Sequence, residues 1–141
     1  MDNALQELYQ EIILEHNRMP RNKRRLQTPT KLSHGNNPSC GDEVVVFVDI
    51  DGNVIREITF DGEGCAISQA SASLMTELLV GKTRVEAAKI IGDVCSVLGN
   101  AAEESILEPY GEVSALAGVK KFPMRVKCAT LAWHAANEAI A

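Results

Sequence analysis

The feature that most restricts how this chain can fold is a pair of β-branched runs, Asp42 to Ile50 and Val54 to Phe60, joined through Asp51-Gly52. Glycine reaches positive φ without a Cβ clash, and Asp-Gly is a strong two-residue hairpin signal. Two adjacent antiparallel strands follow from that. A third strand is expected near Thr30 to His34.

Helical patterns fill most of the remainder. Leu5, Leu8, Tyr9, Ile12 and Ile13 recur at three- and four-residue intervals, which predicts a helix over Asp2 to Asn17 with one apolar stripe. That stripe is expected to lie on the sheet. Arg18 to Arg25 is basic, and Pro20 breaks the helix. A solvated loop is the plain reading of those charges, and docking to an acidic partner is the sharper one. Asp61-Gly62-Glu63-Gly64-Cys65 reads as a glycine-rich bend, followed by a helix from about Ala66 to Val80 that stops at Gly81. Thr83-Arg84-Val85-Glu86 is a capping box that opens another helix, with Gly92 as a candidate interruption. Asn100 to Gly118 is irregular. Pro123 precedes a last helix over about Met124 to Ile140.

The order of helix, hairpin and further helices is an α+β pattern: a small antiparallel sheet of about three strands covered by helices. With 141 residues, 45% of them hydrophobic, the chain suits one domain over 1–141 with a real core. The net charge of -5 argues against non-specific nucleic-acid binding, which needs a basic surface. No apolar run approaches the roughly 20 residues of a membrane span, so no membrane role is expected. The first residues lack the basic start and apolar stretch of a secretory signal, which makes a cytoplasmic location the expectation. Thiols are usually reduced there, so four cysteines suggest metal binding, catalysis or core packing before disulfides.

Cys40 and Asp42 stand two apart where a strand begins, so strand alternation would turn both to one side. A thiolate and a carboxylate aimed together suit a divalent metal, zinc above all. The plain alternative is a turn with Asp42 in solvent. Cys65 precedes a helix, whose free amides and dipole favour a thiolate; a buried structural cysteine is the alternative. Cys128 lies in the first turns of the last helix, with Arg125 three residues earlier on the same face and Lys127 turned elsewhere. A cation at Arg125 would lower a thiol pKa or hold an anion. Cys95 lies four residues after Ile91 and three before Leu98 and reads as core. His16 extends the stripe of the first helix, His34 lies in the loop before Cys40, and His134 is rotated well off the face of Cys128. None of the three is expected as a ligand. No two cysteines sit two apart, so the spacing is not that of a zinc ribbon or finger.

Three segments carry a resemblance: Asn37-Pro38-Ser39-Cys40-Gly41-Asp42, the stretch from Gly62 through Cys65 to Ser73, and Arg125-Val126-Lys127-Cys128-Ala129-Thr130-Leu131. In this order they resemble the three cysteine motifs of the IscU/NifU/SufU family of iron–sulfur cluster assembly proteins. The SufU type is the nearer likeness. Lys127 stands where the IscU type has histidine, the segment between Cys65 and Cys128 is long, and Arg125 and Trp133-His134 match.

The resemblance implies a SufE/NifU-like fold and a zinc ion held by Cys40, Asp42, Cys65 and Cys128. It implies a sulfurtransferase-like role, in which Cys40 accepts persulfide sulfur from a SufS-type cysteine desulfurase, a pyridoxal-phosphate enzyme. A histidine of that enzyme would replace Cys40 on the zinc and free it to react, and Arg125 would stabilise the resulting anion. Other iron–sulfur assembly proteins are implied as partners. Two alternatives stand beside this reading: a scaffold on which a 2Fe–2S cluster forms, and a zinc ion that only holds the fold together.

Overall fold

The structure is a computed structural model and describes residues 3–141. Three antiparallel strands, β1 (Lys31–Asn37), β2 (Asp42–Asp51) and β3 (Val54–Glu63), form a sheet in the order β1-β2-β3. A Gly52-Asn53 turn closes the β2–β3 hairpin with Gly52 at φ 64°, one residue later than the Asp51-Gly52 signal, because Asp51 is still in β2 and pairs with Val54. Two boundaries differ from expectation. The first strand runs on to Asn37, and β3 continues through Asp61-Gly62-Glu63, so that the glycine-rich stretch forms the last rungs of the ladder opposite Val45, Val44 and Glu43. Gly62 is required there: its φ is 135°, and a Cβ would run into the Glu43 carbonyl.

Val44, Val46, Val48, Ile58 and Phe60 form the buried face of the sheet. Two helices cover it, α2 (Ala66–Leu79) and α4 (Pro123–Ile140). Every residue of α2 from Ser68 to Thr76 is buried, which its run of Ala and Ser allows because small side chains let neighbours approach closely. Trp133 is fully enclosed, and its indole N–H donates to Ser71 Oγ at 2.9 Å. The Ser71 hydroxyl in turn donates to the Ala129 carbonyl, tying α2 to α4.

Helix α1 (Asn3–Arg18) packs on α2 and on the later 3-10 segment rather than on the sheet. The apolar stripe is real, but α2 and α4 already occupy the face it was expected to meet. Tyr9, Ile12 and Ile13 are half-buried, whereas Leu5 and Leu8 are exposed. Asp2, included in the helix by its sequence, lies outside the described residues.

The basic stretch after α1 is not a free loop. Lys23, Arg24 and Arg25 are exposed, but the backbone is pinned at several points. The Arg21 amide donates to Ser73 Oγ at 2.8 Å, Asn22 Nδ2 donates to Thr76 Oγ1, and the Phe60 amide donates to the Asn22 carbonyl. Arg25 lies over the Phe47 ring, 4.9 Å from its centroid, on the outer face of the sheet.

Thr83 and Glu86 form the capping box that opens α3 (Arg84–Leu98). Gly92 does not interrupt this helix. A mid-helix glycine costs about 1 kcal/mol, and that is outweighed by burial of Ile90, Ile91, Val94, Val97 and Leu98 at roughly 1.5–3 kcal/mol each. The irregular region becomes a run of 3-10 turns, Glu104–Lys121, kinked at Gly111. It points Leu107, Val113, Leu116 and Val119 inward. Pro123 is itself the first residue of α4, where its missing N–H is tolerated. Among the described residues, no helix is long and apolar enough to cross a membrane.

Candidate metal centre

Asn37 and Asp42 form the last rung of the β1–β2 ladder, and residues 38–41 turn between them. Cys40 lies in that turn and not in a strand. It meets Asp42 because the turn folds back, with Gly41 at φ 69° and the Cys40 amide donating to the Asn37 carbonyl at 3.2 Å. Strand alternation therefore predicts the proximity for the wrong reason. Asp42, the first residue of β2, is fully buried. Cys128 reaches the same point from α4, far along the chain. Gly35 allows that approach, since a Cβ there would sit 3.0 Å from Leu131 Cδ1.

The sulfurs of Cys40 and Cys128 and a carboxylate oxygen of Asp42 all lie within 4.8 Å of one another. Cys65 is not in that mutual set, and it is the predicted ligand that the structure places differently. It is the N-cap residue of α2, and its backbone amide, not its thiol, reaches Asp42, donating to Oδ1 at 2.8 Å. The Cys65 sulfur faces Cys128. Burial, then the adjoining Asp42, Cys40 and Cys65, push the Cys128 thiol far above its ordinary pKa.

One atom tests whether this pocket suits a metal. Asp42 Oδ1 takes the Cys65 amide, but Oδ2 is buried with no hydrogen-bond partner. A buried acceptor left unmatched costs roughly 1–3 kcal/mol. A cation shared with the two neighbouring sulfurs removes that cost, and thiolates with a carboxylate are a donor set that zinc accepts. The group Cys40, Asp42 and Cys128 can thus hold a metal ion, with the Cys65 sulfur close enough to Cys128 to interact with it. Gly64 belongs to the same construction. Its Cβ would collide with Asp42 Oδ1, so only glycine lets this bend close on the carboxylate.

Arg125 is exposed at the mouth of the pocket. Its guanidinium is held above its ordinary pKa first by hydrogen bonding with Cys128 and then by the charges of Cys65 and Cys40. Lys127 is exposed. Asn37 is a site residue that sequence reasoning passes over: it is 8% exposed and its Nδ2 donates to Cys128 Sγ at 3.8 Å. The motif that carries Cys40 begins with it, but residue type alone assigned it no role.

Cys95 is half-buried against the core, and burial pushes its thiol up to about 11. His34 is exposed on β1, beside a polar groove with Lys23 and Arg25, and His134 is exposed on α4. His16 is fully buried and belongs to a second set of close donors with Glu77 and Glu112. There its Nδ1 pairs with Ser73 Oγ at 2.8 Å, and its Nε2 lies 3.3 Å from Glu112 and 3.6 Å from Glu77. Arg21 Nε stands 3.9 Å from the same Glu77 oxygen, so a guanidinium already supplies positive charge.

The model of the NifU-like N-terminal domain matches residues 8–141. The chain belongs to the NifU-like N-terminal domain family. Relatives span nearly its whole length. It is 41% identical over 140 residues to the zinc-dependent sulfurtransferase SufU of Bacillus subtilis (strain 168), covering 97% of this chain and 92% of that one. It is 40% identical over 138 residues to the iron–sulfur cluster assembly scaffold protein IscU of Streptococcus pyogenes serotype M1, covering 98% and 86%. The crystal structure of FiSufU, a SUF-system protein of Fervidobacterium islandicum AW-1, superposes with a TM-score of 0.83 at 34% identity, covering 93% of this chain and 95% of that one. The α+β sheet-and-helix architecture expected from the sequence is thus the NifU-like fold.

Proposed function

We propose that this NifU-like chain is an iron–sulfur cluster assembly protein that carries sulfur, with Cys40 as the acceptor and with zinc held by Cys40, Asp42, Cys65 and Cys128. Residues 1–141 would act as one domain. The donor would be a SufS-type cysteine desulfurase, and the recipients other iron–sulfur assembly proteins. The observation that carries the reading is the buried, partnerless Oδ2 of Asp42, whose carboxylate lies within 4.8 Å of the Cys40 and Cys128 sulfurs. The zinc-dependent sulfurtransferase at 41% identity supports the choice of metal and of chemistry.

When bound, zinc would keep the thiols deprotonated without redox chemistry of its own. The chain's residues supply the rest. Cys40 is the site cysteine on a turn, next to a glycine at positive φ, and it is only partly buried, so a donor can reach it. Its thiolate attacks the outer sulfur of a persulfide on the donor. The donor S–S bond breaks, a new S–S bond forms on Cys40, and the donor cysteine leaves as a thiolate, with no net oxidation. Cys40 then carries a persulfide anion, which the neighbouring Arg125 guanidinium can offset. Cys128, 1% exposed, is shielded from the donor.

Elemental analysis of the purified protein, followed by mass spectrometry after incubation with desulfurase and cysteine, tests this. The expected result is one zinc per chain and a gain of one sulfur atom on Cys40. Sulfur on another cysteine, or none on a folded, zinc-loaded protein, overturns the proposal. The scaffold relative at 40% identity favours a second reading, assembly of a 2Fe–2S cluster on the same thiolates. Anaerobic reconstitution that yields a stoichiometric cluster able to move to an apo-acceptor would select it.

A further inference from the structure

Three of the donors in the metal centre meet at one residue that is not itself a donor. The Asn37 side chain gives an N–H to Cys128 Sγ at 3.8 Å, its carbonyl accepts the Cys40 amide at 3.2 Å, and it is the rung partner of Asp42 across the hairpin. It is 8% exposed, so its carboxamide is held inside the site and away from water.

We propose that Asn37 is a positioning residue that makes the two flanking sulfurs unequal: it marks Cys128 as the retained ligand and leaves Cys40 as the reactive one. The inference rests on the metal-site reading given under Proposed function. An N–H directed at a thiolate draws electron density from sulfur and lowers its nucleophilicity. Cys128 receives such a bond. Among the described residues, no amide donor is found at Cys40 Sγ. The carbonyl of the same residue shapes the turn that carries Cys40, so one residue fixes one sulfur and presents the other. Groups behind metal ligands orient them and tune them in this way, and their loss typically weakens metal binding by about 10- to 100-fold.

The test uses cobalt(II) in place of zinc in the full-length chain, because thiolate-to-cobalt charge-transfer absorption reports sulfur electron density directly. Asn37→Leu keeps the volume and removes the donor. Asn37→Asp keeps the shape and removes the donor. Both variants retain the backbone carbonyl. The expected result in each is a charge-transfer band moved to longer wavelength, with cobalt affinity lowered about 10- to 100-fold in chelator competition. A folded, stoichiometrically loaded variant with an unshifted band overturns the proposal while leaving the metal site standing. Wild-type protein that takes up no cobalt overturns both. If Asn37→Leu does not fold, Asn37→Asp decides; if neither folds, Asn37 is a structural residue and the proposal falls.

Discussion

Among the described residues, two places bring three metal-capable side chains within 4.8 Å of one another, and they differ in how their polar atoms are partnered. At His16, Glu77 and Glu112, the buried imidazole has Ser73 on one nitrogen and carboxylates on the other, and Arg21 adjoins Glu77. At Cys40, Asp42 and Cys128, a buried carboxylate oxygen has no partner. The first cluster is a finished polar network that pins α1 and the 3-10 segment onto α2. The second leaves a buried acceptor unmatched, and a cation could meet it.

The largest effect that could break this comparison is metal withdrawal. With free zinc at about 1,000 times its Kd, binding stabilises the fold by about 4 kcal/mol, so excess chelator should lower the unfolding midpoint in calorimetry. His16→Ala should show the same chelator-dependent drop, and Asp42→Ala a clearly smaller one. Next, Asp42→Ala should weaken zinc binding by more than the roughly 100-fold expected for loss of a residue behind the ligands, read by competition with a chromophoric chelator. His16→Ala should leave that affinity unchanged. A smaller effect separates the two in the opposite sense. His16→Ala removes a fully buried imidazole and its bond to Ser73 Oγ and should cost about 2 kcal/mol in denaturant unfolding of the metal-free protein.

The smallest effect concerns Cys95, which lies apart from the metal centre. Burial raises the Cys95 thiol to about 11, whereas in the unfolded chain it ionises near 8.5, roughly the free value. The unfolded chain therefore loses this proton first. The contribution to stability is complete below about pH 8.5 and declines as the pH rises toward 11. Unfolding of the metal-free protein across that range should show a shallower decline in Cys95→Ala than in wild type.

What was legible in the sequence was chemistry settled by neighbours along the chain. Asp51-Gly52 gave the hairpin, Thr83 and Glu86 the cap of α3, and Pro123 the start of α4, because each involves residues a few positions apart. The apolar stripe of α1 was equally plain, but periodicity says that a face is buried, not what buries it. Gly62 and Gly64 signalled a bend, while their reasons for being glycine are the Glu43 carbonyl and the Asp42 carboxylate, some twenty residues upstream. The same limit applies to the site. Cys40, Asp42, Cys65, Cys128 and Arg125 were named from motif and residue type. That Cys65 would reach Asp42 through its amide, that Asn37 would lie against Cys128, and that His16 would find Glu112 depend on contacts between distant segments. No local pattern encodes those.

X-ray absorption at the zinc edge of the loaded full-length protein addresses the central claim most directly. Three sulfur neighbours near 2.3 Å and one oxygen at about 2.0–2.2 Å are expected, with one sulfur lost in Cys40→Ala and the oxygen lost in Asp42→Ala. A shell of nitrogen and oxygen, or one that both substitutions leave intact, would contradict the account.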